Sequence, residues 1–174
     1  MIFGSARLIA RRFDPRDLEA FVAMRDNPDV ARFQSWSGFN LDDGREFLGW
    51  IRLRNPGDQG WFQFALEHRD SGAFIGDCGL HIMEHDRRLA QLGFTIARPH
   101  WNQGYASEAV TSLVNYAFAG FELHRITASV DPRNGASCRV LEKTGFRKEA
   151  HFLRSEWFKG GWADDAIYAR LRPE

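Results

Sequence analysis

The spacing of apolar residues changes period along this chain. From Leu89 to Ala97 (LAQLGFTIA) apolar positions alternate with polar ones and include the β-branched pair Thr95 and Ile96, a pattern that predicts a strand. After Tyr105 the period lengthens to that of a helix, with Ala109, Val110, Leu113, Val114, Ala117 and Phe118 on one face. Between them Asn102-Gln103-Gly104 predicts a tight turn, since Gly lets the backbone approach a ligand and Asn tolerates left-handed geometry. The change recurs downstream. Arg125 to Val130 (RITASV) reads as a strand, Asp131 to Gly135 as a turn, and Ser137 to Thr144 as a helix stopped by Gly145.

Other segments fill in the architecture. A short strand is predicted over Arg7 to Phe13, then Asp14 as a cap with Pro15 behind it and a helical face of Leu18, Phe21, Val22 and Met24 or Arg25. A second helix is predicted over Leu41 to Arg54, capped by Asn40, with Phe47, Leu48 and Ile51 inward and Asn55-Pro56-Gly57 at its end. Trp61 to Glu67 and Ala73 to Met83 read as strands joined by the turn Arg69 to Gly72. With Leu89 to Ala97 they make three consecutive antiparallel strands. Phe146 to Phe158, with a break, and Trp162 to Leu171 are the last two strands. The class predicted is α+β: a mostly antiparallel mixed sheet with flanking helices, as one domain over residues 1–174.

The turn at Gly104 carries the first chemical hint. The leading N–H groups of a helix have no partner within it and sit at the positive end of its dipole, so a phosphate is held there without a lysine. Composition narrows the class. The 23 basic and 23 acidic residues cancel, which argues against nucleic acid or an anionic membrane as a direct partner. Two cysteines, Cys78 and Cys138, are too few for a disulfide framework and fit a reducing compartment. MIFGSARLIARRF lacks an apolar stretch of signal-peptide length, so a cytoplasmic location is expected. The 15 Phe and 6 Trp suit either core packing or a hydrophobic tunnel. Cys78, His81 and His85 have a metal-like spacing, but alternation sends Cys78 and His81 to opposite strand faces, and no metal site is expected.

The two strand–turn–helix units, with WNQGYASEA in the first and NGASCRVLEKTGF in the second, resemble the GCN5-related N-acetyltransferases (GNAT), nearest to the branch that acetylates N-terminal amines of ribosomal proteins. The likeness extends to Arg7–Arg11 with Asp14–Asp17, to Asn27–Arg32 and to Trp162–Tyr168. It implies acetyl-CoA as cosubstrate, a primary amine as acceptor and direct transfer in a ternary complex. It also implies a parallel strand pair that splays apart to admit the pantetheine arm. On that resemblance the backbone of Phe94 and Ile96 meets the pantetheine and acetyl carbonyl, the N–H groups of Gln103, Gly104, Tyr105 and Ala106 receive the diphosphate, and Thr95, Asn102 and Ser107 complete the cofactor-binding set. Asn134 matches a pantetheine-binding asparagine. Ser137 matches a serine near the sulfur, which either protonates the leaving thiolate or caps the helix beginning at about Gly135. Arg139 and Lys143, one turn apart, are either ligands of the nucleotide 3′-phosphate or a solvated face.

The general base is not evident. The branch often carries Glu where Gln91 stands here, and Gln cannot take a proton near neutral pH. His81 and Glu84 are the candidates to replace it, acting directly or through water. A protein or peptide N-terminus is the acceptor the resemblance favours. A polyamine or aminoglycoside is the alternative, which acidic residues such as Glu84, Glu156 or Asp164 in the acceptor cleft would favour. The loss of the carboxylate at Gln91 also fits a CoA-binding module without catalysis. The aromatic segment Phe33 to Phe39 suits an acceptor-site wall or a subunit contact, in a monomer or homodimer.

Overall fold

The computed structural model describes residues 1–173. Its sheet runs in the order β1-β2-β3-β4-β5-β6-β8-β7, with β1 (Phe3–Gly4), β2 (Leu8–Arg11), β3 (Gly60–His68), β4 (Phe74–Ile82), β5 (Leu89–Ile96), β6 (Arg125–Val130), β7 (Arg147–Phe158) and β8 (Gly161–Leu171). Neighbours are antiparallel throughout except β5 and β6, which are parallel. The helices are α1 (Leu18–Asp26), α2 (Pro28–Ala31), α3 (Leu41–Arg52), α4 (Tyr105–Gly120) and α5 (Gly135–Lys143). None among the described residues is long and apolar enough to cross a membrane.

Alternation assigns the two faces. Cys78, Leu80 and Ile82 of β4 pair with Phe94, Leu92 and Ala90 of β5, on the side that α4 covers with the fully buried Val110, Leu113 and Val114. Burying one such leucine contributes about 2 kcal/mol. Asp77, Gly79 and His81 pair with Thr95, Gly93 and Gln91 on the opposite face, beneath α1. Most aromatic rings serve the core rather than a tunnel. Phe13, Phe21, Phe39, Phe47 and Phe74 meet edge-on or tilted at 4.8–6.2 Å, inside α1 and α3.

Where the elements depart from expectation, local chemistry explains it. The first strand stops at Arg11 because Asp14 and Asp17 form a capping box on a 3₁₀ turn. Helix α3 is capped by Asn40 as expected, with Asp43 completing a capping box, and ends at Arg52 rather than Arg54. The four-residue α2, capped by Asn27 with Pro28 behind it, is too short for a periodic signal. The break in β7 is a register shift between Phe152 and Glu156.

The parallel pair positions the site. Strands β5 and β6 are in register only at Leu89–Arg125, Ala90–Ile126 and Gln91–Thr127. Beyond those three pairs β5 continues to Ile96 beside β4, and β6 continues to Val130 beside β8. The strands therefore part, as the resemblance implied.

Candidate active site

The opening between β5 and β6 holds a cavity of about 170 Å³. Leu92, Gly93 and Phe94 form one wall and Ala128, Ser129 and Val130 the other, and Asn134, Ser137, Glu156, Asp164 and Asp165 also line it. A Cβ placed on Gly76 would come within 2.2 Å of the Thr95 carbonyl, so that carbonyl points at β4. Backbone direction alternates, so Leu92, Phe94 and Ile96 aim their polar groups into the opening. Phe94 thus turns its polar backbone groups into the opening. Thr95 does not: it is buried and its backbone is committed to β4. The Ile96 carbonyl is also taken, by the Trp101 indole N–H at 2.6 Å, which leaves only its N–H.

At the wide end of β5 the chain turns through Asn102 (φ 60) and Gly104 (φ 83), both left-handed, into α4. No side chain caps α4, so the N–H groups of Tyr105, Ala106 and Ser107 remain open to an anion. A residue not singled out by sequence, Arg7, braces this loop. Its guanidinium donates to the Gln103 carbonyl at 3.1 Å, pairs with Glu108 at 2.7 Å and lies 4.4 Å over the Tyr105 ring. Burial opposes ionisation of Glu108, but hydrogen bonds from Ser5 Oγ, the Arg7 backbone N–H and the guanidinium outweigh it and hold the carboxyl below its usual range.

The second turn corrects one expectation. Asn134, not Ser137, caps α5: its Oδ1 accepts from the Ser137 backbone N–H at 3.2 Å. Ser137 is the third residue of the helix, and among the described residues none hydrogen-bonds its hydroxyl, which faces the cavity. Asn134 also lines the cavity, so one side chain serves the fold and borders the site.

Several carboxylates line the cavity. Asp131 is lowered by the hydrogen-bonded Arg133, and Asp164 by the Arg154 backbone N–H and by His151. Glu156 is exposed at the mouth. Asp165 is 9% exposed and accepts from Ser129 Oγ at 2.6 Å. Phe33 and Gln34 complete this wall. Their loop is held from both sides. The Trp36 indole donates to the Arg25 carbonyl, while the Arg25 guanidinium lies 4.0 Å over the Trp36 ring and 3.5 Å from Asp77. Burial pushes the Asp77 carboxyl up and Arg25 opposes it. Lys159, in the turn between β7 and β8, donates to the carbonyls of Ala31 and Trp36 at 2.6 and 2.7 Å.

A family model described as an acetyltransferase (GNAT) domain matches residues 7–147. The chain belongs to the GNAT family. An uncharacterized N-acetyltransferase of Bacillus subtilis, YoaA, is 30% identical over 174 residues, covering 99% of this chain and 97% of that one. The crystal structure of a GNAT-family acetyltransferase from Bacillus anthracis superposes with a TM-score of 0.86 at 30% identity, covering 97% of this chain and 98% of the other. The Escherichia coli ribosomal protein uS5 alanine N-acetyltransferase is 27% identical over 114 residues, 65% of this chain and 59% of its own.

As a GNAT acetyltransferase the chain needs a route for the acceptor's proton, and the cavity does not contain the two residues assigned to it from sequence. His81 stacks on Trp61 at 5.1 Å and bonds Glu84 at 3.2 Å, and neither His81 nor Glu84 lines the cavity. The bond to His81 lowers Glu84, which is largely solvated. Trp61 explains the separation, because its ring lies across Gly79 and Gly93, 3.3 and 3.7 Å from where their Cβ atoms would be. The sequence pattern marks Trp61 only as a strand residue, so nothing local reveals it as a cover.

Proposed function

We propose that this chain transfers the acetyl group of acetyl-CoA directly to a primary amine borne on an acceptor with more than one positive charge. The observation that carries this reading is the cavity itself: the open backbone of β5 on one side, and Ser137 and the carboxylates Glu156, Asp164 and Asp165 lining the same space. The pantetheine amides add to Leu92 and Phe94 as a strand adds to a sheet edge, and the diphosphate rests on the N–H groups that open α4. The thioester is then held beside the Ser137 hydroxyl, which donates to the thiolate as the C–S bond breaks. The carboxylates attract a cation and receive the acceptor.

A peptide or protein N-terminus is the second reading, favoured by the likeness to the ribosomal protein uS5 alanine acetyltransferase. Thiol release from acetyl-CoA, measured across spermidine, an aminoglycoside and peptides with free N-termini, tests both. Turnover at least tenfold better for the polyamine or aminoglycoside than for any peptide is expected. The reverse order selects the N-terminal reading, and no release with any amine rejects acetyl transfer to these classes.

A further inference from the structure

Asp165 is the most buried carboxylate that lines the cavity, and among the described residues it has no cationic partner. The other carboxylates there have an evident outlet. Glu156 is solvated, Asp131 is paired with Arg133, and Asp164 takes hydrogen bonds from His151 and the Arg154 backbone. Asp165 sits on β8 with nine-tenths of its surface removed from water. Its Oδ1 accepts from Ser129, its Oδ2 has no hydrogen-bond partner among the described residues, and no Lys, Arg or His nitrogen of these residues comes within salt-bridge distance. Asp165 borders the same cavity as Phe94 and Ser137.

We propose that Asp165 receives the acceptor ammonium and takes its first proton, an assignment that rests on the acetyl-transfer reading above. Ser129 orients the carboxylate by holding Oδ1, which leaves Oδ2 for the substrate. The ammonium R–NH₃⁺ gives one proton to Oδ2 and becomes R–NH₂. The nitrogen lone pair then attacks the thioester carbon, a C–N bond forms, the C–S bond breaks and the electron pair leaves on sulfur. The nitrogen sheds a second proton, the thiolate gains one, and Asp165 later returns its own to solvent, so that R–NH₃⁺ and acetyl-CoA become R–NH–acetyl, CoA–SH and H⁺. Placing the base on β8 accounts for a β5 that carries Gln91 in place of an acid.

The test is Asp165→Asn, which keeps an oxygen for Ser129 and removes the charge. With spermidine as acceptor, kcat/KM at pH 7 is expected to fall at least a hundredfold, while calorimetric affinity for acetyl-CoA stays within twofold of wild type and the melting temperature is unchanged or higher. Raising the pH toward 10 restores much of the loss, because the amine then arrives already neutral. Ser129→Ala, which retains the carboxylate, is expected to lose several-fold and to keep the wild-type pH profile. Unchanged kcat/KM in Asp165→Asn, or a loss that high pH does not restore, overturns the assignment while leaving acetyl transfer standing. If Asp165→Asn fails to fold, an unaltered rate in Ser129→Ala counts against it. A wild-type protein that acetylates none of the amines overturns the acetyl-transfer reading and the assignment together.

Discussion

Replacing Gly104 with valine tests the proposed diphosphate site, because the residue is left-handed (φ 83), precedes α4 and stands beside Arg7, which braces the loop. A non-glycine residue in that conformation costs about 1–2 kcal/mol. At about 2–4 °C per kcal/mol for a chain of this size, the melting temperature should drop by about 2–8 °C. Strain alone would not touch the ligand. However, the new Cβ would stand 3.4 Å from the Arg7 guanidinium, and a branched residue extends further, so Arg7 loses its hold on the Gln103 carbonyl. The peptide then rotates and re-aims the N–H groups of Tyr105 and Ala106. One charge-assisted hydrogen bond contributes about 1.5–3 kcal/mol, so acetyl-CoA affinity by calorimetry should weaken at least tenfold, about 1.4 kcal/mol. Gly72→Val is the control, since Gly72 has a similar φ of 68 in the turn between β3 and β4 with nothing within 4 Å of its missing Cβ. It should lose comparable stability and no affinity. Wild-type affinity in Gly104→Val, with both variants equally destabilised, refutes the diphosphate assignment.

Ser137→Ala should lower kcat with acetyl-CoA affinity and melting temperature nearly intact, because Asn134 and not Ser137 caps α5; full turnover removes the hydroxyl from the chemistry. Asn134→Ala should lose about 1 kcal/mol of stability along with acetyl-CoA affinity, whereas Asn134→Asp keeps the cap and loses only the amide donor, so a normal KM in the Asp variant denies that donor a ligand role. Glu108 has a folded pKa below its unfolded one, so its contribution is present above about pH 4.3 and is lost as the pH falls through the lower, folded value. Thermal unfolding of Glu108→Gln should therefore lose that part of the wild-type acid sensitivity, and identical pH profiles would show that the Arg7–Glu108 brace carries no stability.

Features written in short stretches of chain were legible before folding. The capping box at Asn40, the period of α4 and the left-handed turn at Asn102 and Gly104 depend on neighbours a few residues away, and they stand where the pattern placed them. Ser137 was ambiguous for the same reason, since Asn134 three residues earlier competes for the same cap and takes it. The splay of β5 from β6 came from family likeness, because alternation reports which face a side chain occupies and says nothing of which strand lies alongside. Thr95 and Ile96 show the limit at a finer scale: Thr95 is bound to β4, and Trp101 reaches back to the Ile96 carbonyl. The carboxylates of the cavity were the least legible part. Glu156 and Asp165 line the cavity on strands far along the chain, Asp165 beside Ser129 of β6 through the β6–β8 pairing, which no local pattern reports. His81 and Glu84, close in sequence to the expected base, are diverted by a tryptophan twenty residues upstream.

The lysine in the last hairpin has a kinetic consequence. Lys159 meets carbonyls at Ala31 and Trp36 across separations of 128 and 123 residues, and such distant partners come together late because the intervening loop must close first. On the ribosome the order is sharper still, since chains emerge from the N-terminus. Strand β5 and helix α4 are synthesised once residue 120 is added, whereas Glu156, Ala163 and Asp165 of the cavity wall do not yet exist. The cavity is therefore closed last by the residues nearest the C-terminus, after the loop and helix at residues 102–120 and the wall from β6 have been made.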